Sequence, residues 1–185
     1  MSNSDKEQQA VEQSMISALA ESIQQVLPER ATALLKEACE LASQSLHAAT
    51  IGVSVGDYGR FSEAVLAEQH NARKLRYSSL IKKGAAEAIP ENMSKIFGYY
   101  GVSQENVTLA EYVEKIKQRF FARAEELDQD AKRLMLQTMH YGEAHPDYGT
   151  KTAQAFIAAG HVEGMHEMLK IVVSHELNIR KKFDK

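Results

Sequence analysis

The sequence predicts an all-α protein: an elongated bundle of about five to six helices ending in a long antiparallel helical hairpin. Three observations carry this expectation. Apolar residues recur at steps of three and four along most of the 185 residues. Only 3 prolines and 10 glycines interrupt them. The one stretch that alternates instead, around Ile51, Val53 and Val55, lasts a few residues and reads as a connecting loop.

A first helix is expected over 5–27, where Val11, Met15, Ile16, Leu19, Ile23 and Val26 share a face and Ser4 is placed to cap it. Pro28 is expected to end it, because proline lacks the N–H that a helix interior needs. A second helix follows over 29–49, with Ala33, Leu34, Ala38, Leu41, Ala42 and Leu46 on one side. Cys39 lies close to that stripe and reads as packing. Gly52, Gly56 and Gly59 match neither the dinucleotide fingerprint nor a P-loop, so the intervening turn carries no nucleotide signature.

The third helix is expected from about residue 60 to 83, carrying Val65, Leu66, Leu75, Leu80 and Ile81, with Gly84 as its stop. A short helix with Met93, Ile96 and Phe97 begins at Pro90, since proline suits a first helical position. The strongest periodicity runs over 108–141, through Val113, Ile116, Phe120, Ala124, Leu127, Ala131, Leu134 and Thr138. Thr108 and Glu111 supply a capping box at its start. After a break at 142–149, a last helix over 150–181 buries Ala158, Val162, Met165, Leu169, Val172, Val173 and Leu177. These two long helices form the hairpin. Each is roughly 45–50 Å long, against a diameter of about 40 Å for a compact chain of this size, so the shape is expected to be elongated.

The chain reads as a single domain over 1–185, with no solenoid-period repeat. A net charge of −3 argues against nucleic-acid binding over the whole surface. The lone Cys39 has no internal partner for a disulfide. No apolar stretch approaches the 18 or so residues of a membrane span, and no basic leader precedes an apolar run, so a cytoplasmic protein without a membrane partner is expected.

Three clusters are candidates for chemistry. His140, Tyr141, Glu143, His145, Asp147 and Tyr148 crowd into the connection between the two long helices. Imidazoles and carboxylates are the usual ligands of zinc or iron, but these spacings match no established zinc motif, and Gly142, Pro146 and Gly149 make the same stretch an ordinary turn. Glu163 and His166 stand at i and i+3, the element by which carboxylate bundles present iron ligands, yet no second such element occurs in the chain. The third cluster is basic: Arg73, Lys74, Arg76, Lys82 and Lys83, with Tyr77 among them and no acidic residue from 69 to 86. Such a face suits phosphates, a nucleic-acid backbone or an acidic partner, and is otherwise a solvated helix surface.

Tyr99, Tyr100, Tyr112, Phe120, Phe121 and Phe156, with several methionines, either line a pocket or fill the core. Phe121 and Met168 fall off the centres of their apolar stripes and are expected to give their helices a second sticky face. No nucleophile with its base, no complete metal motif and no cofactor fingerprint emerges. The sequence therefore reads as a non-enzymatic helical interaction or regulatory protein without a cofactor, possessing a protein partner or associating with itself as a homodimer. Its partner-binding residues would be Arg73, Lys74, Arg76, Phe121 and Met168. The first alternative is a bundle binding a transition metal such as zinc or iron, or a small ligand, as an oxidoreductase or hydrolase. It would use His140, Glu143, His145 and Asp147, or Glu163 and His166. The second alternative is a nucleic-acid accessory protein working through the basic face from residue 73 to 83.

Overall fold

A computed structural model describes residues 3–54, 63–97 and 107–183. These residues form four helices and no strand: α1 (Asn3–Ser54), α2 (Glu63–Phe97), α3 (Leu109–Tyr141) and α4 (Tyr148–Phe183). The all-α class and the closing hairpin hold, but four helices replace the five to six expected. Pro28 and Pro90 do not break their helices. Both prolines are exposed, and the missing bond is offset by what flanks them: Ile23, Leu27 and Leu34 around Pro28, Ile89 and Ile96 around Pro90, all buried. Ile51 to Ser54 belong to the end of α1. Gly56, Gly59, Tyr99 and Tyr100 lie outside the described residues.

The helices run up, down, up and down. In most such bundles the second and fourth helices face each other across a diagonal. Here they are a close pair. α1 packs on α2, α2 on α4 and α4 on α3, while α1 also reaches α4, and the first half of α3 meets α2 through Phe120 against Phe97 and Arg123 on Asn92. The exposed surface is accordingly large, 11880 Å² for 20.6 kDa, against roughly 8,900 Å² for a compact chain of that mass.

Small residues make the α2–α4 approach possible. Gly84 is not a stop: a Cβ on it would collide with the backbone carbonyl of Ile157, and a Cβ on Gly160 would collide with that of Ile81. One turn on, a Cβ on Gly164 would stand 2.6 Å from the carbonyl oxygen of Ala85. The two backbones are therefore in contact, and α4 turns its Gly160, Gly164 and Met168 face inward. That rotates the buried face from the expected one. Met165 and Val172 are buried as predicted, but Leu177 is 53% exposed and Met168 is 0% exposed. Met168 offers nothing to the surface, because α4 packs on three helices and its buried face is too wide for a single stripe to describe. Cys39, read as packing, is exposed on α1.

α3 follows its sequence closely. Val113, Ile116, Phe120, Ala124, Leu127, Ala131 and Thr138 are all buried. Thr108 caps the helix: its hydroxyl accepts from Glu111 N, and its own N–H donates to the Glu111 carboxylate at 3.0 Å. That carboxyl is held below its ordinary value by the backbone N–H and the hydroxyl of Thr108. Glu12 of α1 accepts from Leu109 N at 2.7 Å, tying the starts of α1 and α3 together.

Candidate functional site

α1 and α2 meet along a seam of alanine and serine. Ser45 donates to the carbonyl of Ala72 at 2.7 Å, and Ser79 to that of Ala38 at 2.8 Å. Because these side chains are short, they leave a furrow unfilled. It is a groove of about 740 Å³ with Ala42, Leu46, Ala49 and Ala72 among its apolar walls and Arg73 and Arg76 on its rim. Leu46 is 71% exposed there.

On the other side of α2 lies a smaller cleft of about 270 Å³, between α2, the 142–147 loop and the start of α4. Arg73, Arg76, Tyr77 and Leu80 line it from α2, facing Glu143, Tyr148, Gly149 and Thr152. Phe156, one turn beyond Thr152, stacks on Tyr77 with ring centroids 4.2 Å apart and so fixes that wall. Arg73, Arg76 and Leu80 thus form a ridge shared by groove and cleft.

The basic run divides in two. Lys82 donates to Glu163 at 2.5 Å and lies 3.8 Å from Glu37, and Lys83 lies 3.8 Å from Glu87. Arg73, Lys74 and Arg76 are exposed and make no ion pair among the described residues. Lys82 belongs instead to a circuit that joins three helices. Arg30 of α1 bonds Glu37 at 2.9 Å and Glu167 of α4 at 3.2 Å, and Lys170 closes on Glu167 at 3.0 Å. Burial alone would lower the pKa of Arg30, but its bond to Glu37 and the charges of Glu167 and Glu37 outweigh burial and raise it.

The residues singled out for a metal stay apart. His140 lies on the exposed flank of α3, in a hollow with Lys132, Arg133 and Leu136. His145 packs edge-on to Tyr141 and accepts from the backbone N–H of Asp147 at 3.1 Å, an ordinary turn contact. Asp147 is exposed, and its carbonyl accepts from Lys151 N at the start of α4. Glu163 is engaged by Lys82, whereas His166 is exposed. Among the described residues, no three His, Cys, Asp or Glu side chains come together to hold an ion. Of that set only Glu143 enters the cleft. Phe121 is 59% exposed on α3.

Two features had no sequence signal. Ser22 and His175, 153 positions apart, place Oγ and Nδ1 2.5 Å from each other. This is a nucleophile and base in contact, but no carboxylate lies within ion-pair distance of His175 among the described residues, and neither residue lines the groove or the cleft. It reads as a bond between α1 and α4. The other feature is Thr152, which is 7% exposed, and whose buried hydroxyl makes no hydrogen bond. No helix among the described residues is long and apolar enough to cross a membrane. Set against models of known protein families, curated proteins and solved structures, the chain matches none.

Proposed function

We propose that this is a non-enzymatic interaction protein of the cytoplasm, with a regulatory role, that docks an acidic amphipathic helix of a partner protein in the α1–α2 groove. The observation that supports this reading is the pairing of an open apolar furrow with two unpaired guanidiniums on its rim. The apolar side of a docked helix would cover Leu46 and the alanines. Its carboxylates would meet Arg73 and Arg76, which are suited to bidentate pairing.

Peptide display against the whole chain tests the reading. Recovered peptides should be acidic and amphipathic, and should bind at least tenfold more weakly to Leu46→Asp and to the double variant Arg73→Glu, Arg76→Glu. Peptides without net negative charge, or indifferent to both variants, would overturn it. Light scattering adds a further outcome: a two-chain mass that falls to one chain in Leu46→Asp would seat a second copy in the groove.

A further inference from the structure

We infer that the cleft between α2 and the start of α4 is a binding site for a small phosphate-bearing ligand, distinct from the docking groove. Four features converge on it. Two guanidiniums without ion-pair partners among the described residues, Arg73 and Arg76, line one wall. The opposite wall carries the first turn of a helix 36 residues long, whose N-terminus holds a partial positive charge. There the backbone N–H groups of Gly149 and Thr150 make no hydrogen bond among the described residues, since only Tyr148 N and Lys151 N bond back into the loop. Free N–H groups at such a terminus are ready donors to an anion.

The fourth feature points to a ligand on its own. Thr152 lines the cleft, is nine-tenths buried, and carries a hydroxyl with no partner among the described residues. A threonine inside a helix ordinarily returns its hydroxyl to the carbonyl four residues back, as Thr32, Thr50 and Thr138 do in this chain. Thr152 does not. A buried hydroxyl left unpaired is destabilising, and a ligand oxygen in the cleft would give it an acceptor.

Phosphate is the group that this set fits best. Guanidinium, backbone N–H and hydroxyl are all donors, and a phosphate monoester presents three acceptor oxygens with close to two negative charges. The volume, about 270 Å³, is just under the roughly 300–1,000 Å³ of drug-sized sites, so the ligand is a phosphate with a small organic group. Glu143 is the one acidic group in the lining among the described residues. Asp147 stands just before α4 but does not line the cleft. The carboxylate of Glu143 opposes a phosphate and receives a hydroxyl or ammonium group on the same ligand.

Calorimetric titration of the whole chain with inorganic phosphate and with glycerol phosphate tests the site, with acetate as the carboxylate comparison. Saturable one-to-one binding is expected, tighter for glycerol phosphate than for inorganic phosphate, and absent for acetate. Arg76→Gln should weaken it at least tenfold. Thr152→Val should weaken it severalfold while Thr152→Ser restores it, and Glu143→Gln should tighten inorganic phosphate severalfold. Leu46→Asp, which lies in the groove and not the cleft, should leave it unchanged, so the docking reading and this one fail separately. Circular dichroism of each variant confirms that it is folded. Absence of saturable binding to wild type, or binding indifferent to Arg76→Gln and Thr152→Val, would overturn the site.

Discussion

A Cβ placed on Gly160 would stand 2.9 Å from the Cα of Gly84, and one placed on Gly84 would stand 3.1 Å from the Cα of Gly160. The nearest obstruction to either is a carbonyl oxygen, which cannot swing aside as a side chain would. Gly160→Val is therefore expected to force α2 and α4 apart and to destabilise the chain by at least about 1–3 kcal/mol, the usual range for overpacking. Gly149→Ala is its control. A Cβ there meets nothing within 4 Å, and alanine favours a helix by up to about 1 kcal/mol over glycine. Chemical denaturation of both variants checks the contrast, and equal effects would refute the backbone contact.

Met168 and Phe121 separate burial from hydrophobicity. Met168→Ala is expected to cost about 2–5 kcal/mol, because it empties part of a fully buried site. Phe121→Ala should change stability by no more than about 0.5 kcal/mol, since the residue is 59% exposed. Urea midpoints of the two variants give the comparison directly.

The three-helix ion circuit has a pH signature. Burial alone would raise the carboxyl of Glu167, but the bond and charge of Lys170, with the charge and bond of Arg30, outweigh it and hold the carboxyl below its ordinary 4.5. A carboxyl held low binds its proton less readily in the folded state than in the unfolded one. Its contribution is thus present at neutral pH and fades as the pH falls below 4.5 and through the folded value. Glu167→Gln should be less stable than wild type at pH 7, with the gap narrowing in acid. A gap that stays constant between pH 7 and pH 3 would refute the ion-pair origin.

Pro28 offers a gain in stability. Its ring is exposed on α1, and Pro28→Ala restores a backbone N–H to the helix interior, where proline costs about 3 kcal/mol relative to alanine. Against this stands the looser unfolded chain, about 0.4–1 kcal/mol. A net stabilisation of about 2–2.6 kcal/mol is expected from these two terms. Thermal melts would show it as a higher midpoint, and a lower one would mean that the ring itself shapes α1.

How much of this was legible in the sequence depended on how many neighbours each helix has. α3 packs mainly on α4, with Phe120 against Phe97 and Arg123 on Asn92 as contacts to α2, and one stripe of apolar residues describes it, from Val113 to Thr138. α4 packs on three helices, and its tightest contact is made by glycines, which leave no mark in an apolar pattern. Gly160 and Gly164, four apart, with Gly84, Ala85 and Ala88 on the other helix, were the signal that periodicity overlooks. Proline reads as a break because its local cost is visible in sequence, whereas the flanking burial that outweighs it is tertiary. The candidate site divides in the same way. Arg73 and Arg76 stand out as a basic run, but Leu46, Glu143 and Thr152 reach them only through folding.

The ridge of Arg73, Arg76 and Leu80 is a single wall with a depression on each side. A guanidinium drawn toward one side is withdrawn from the other. Occupants of groove and cleft that both call on these arginines must therefore antagonise each other, and by the same factor in either direction. The protein would then release what it holds in the groove as the concentration of the small anion rises, and two helical turns of α2 would suffice to make it a sensor.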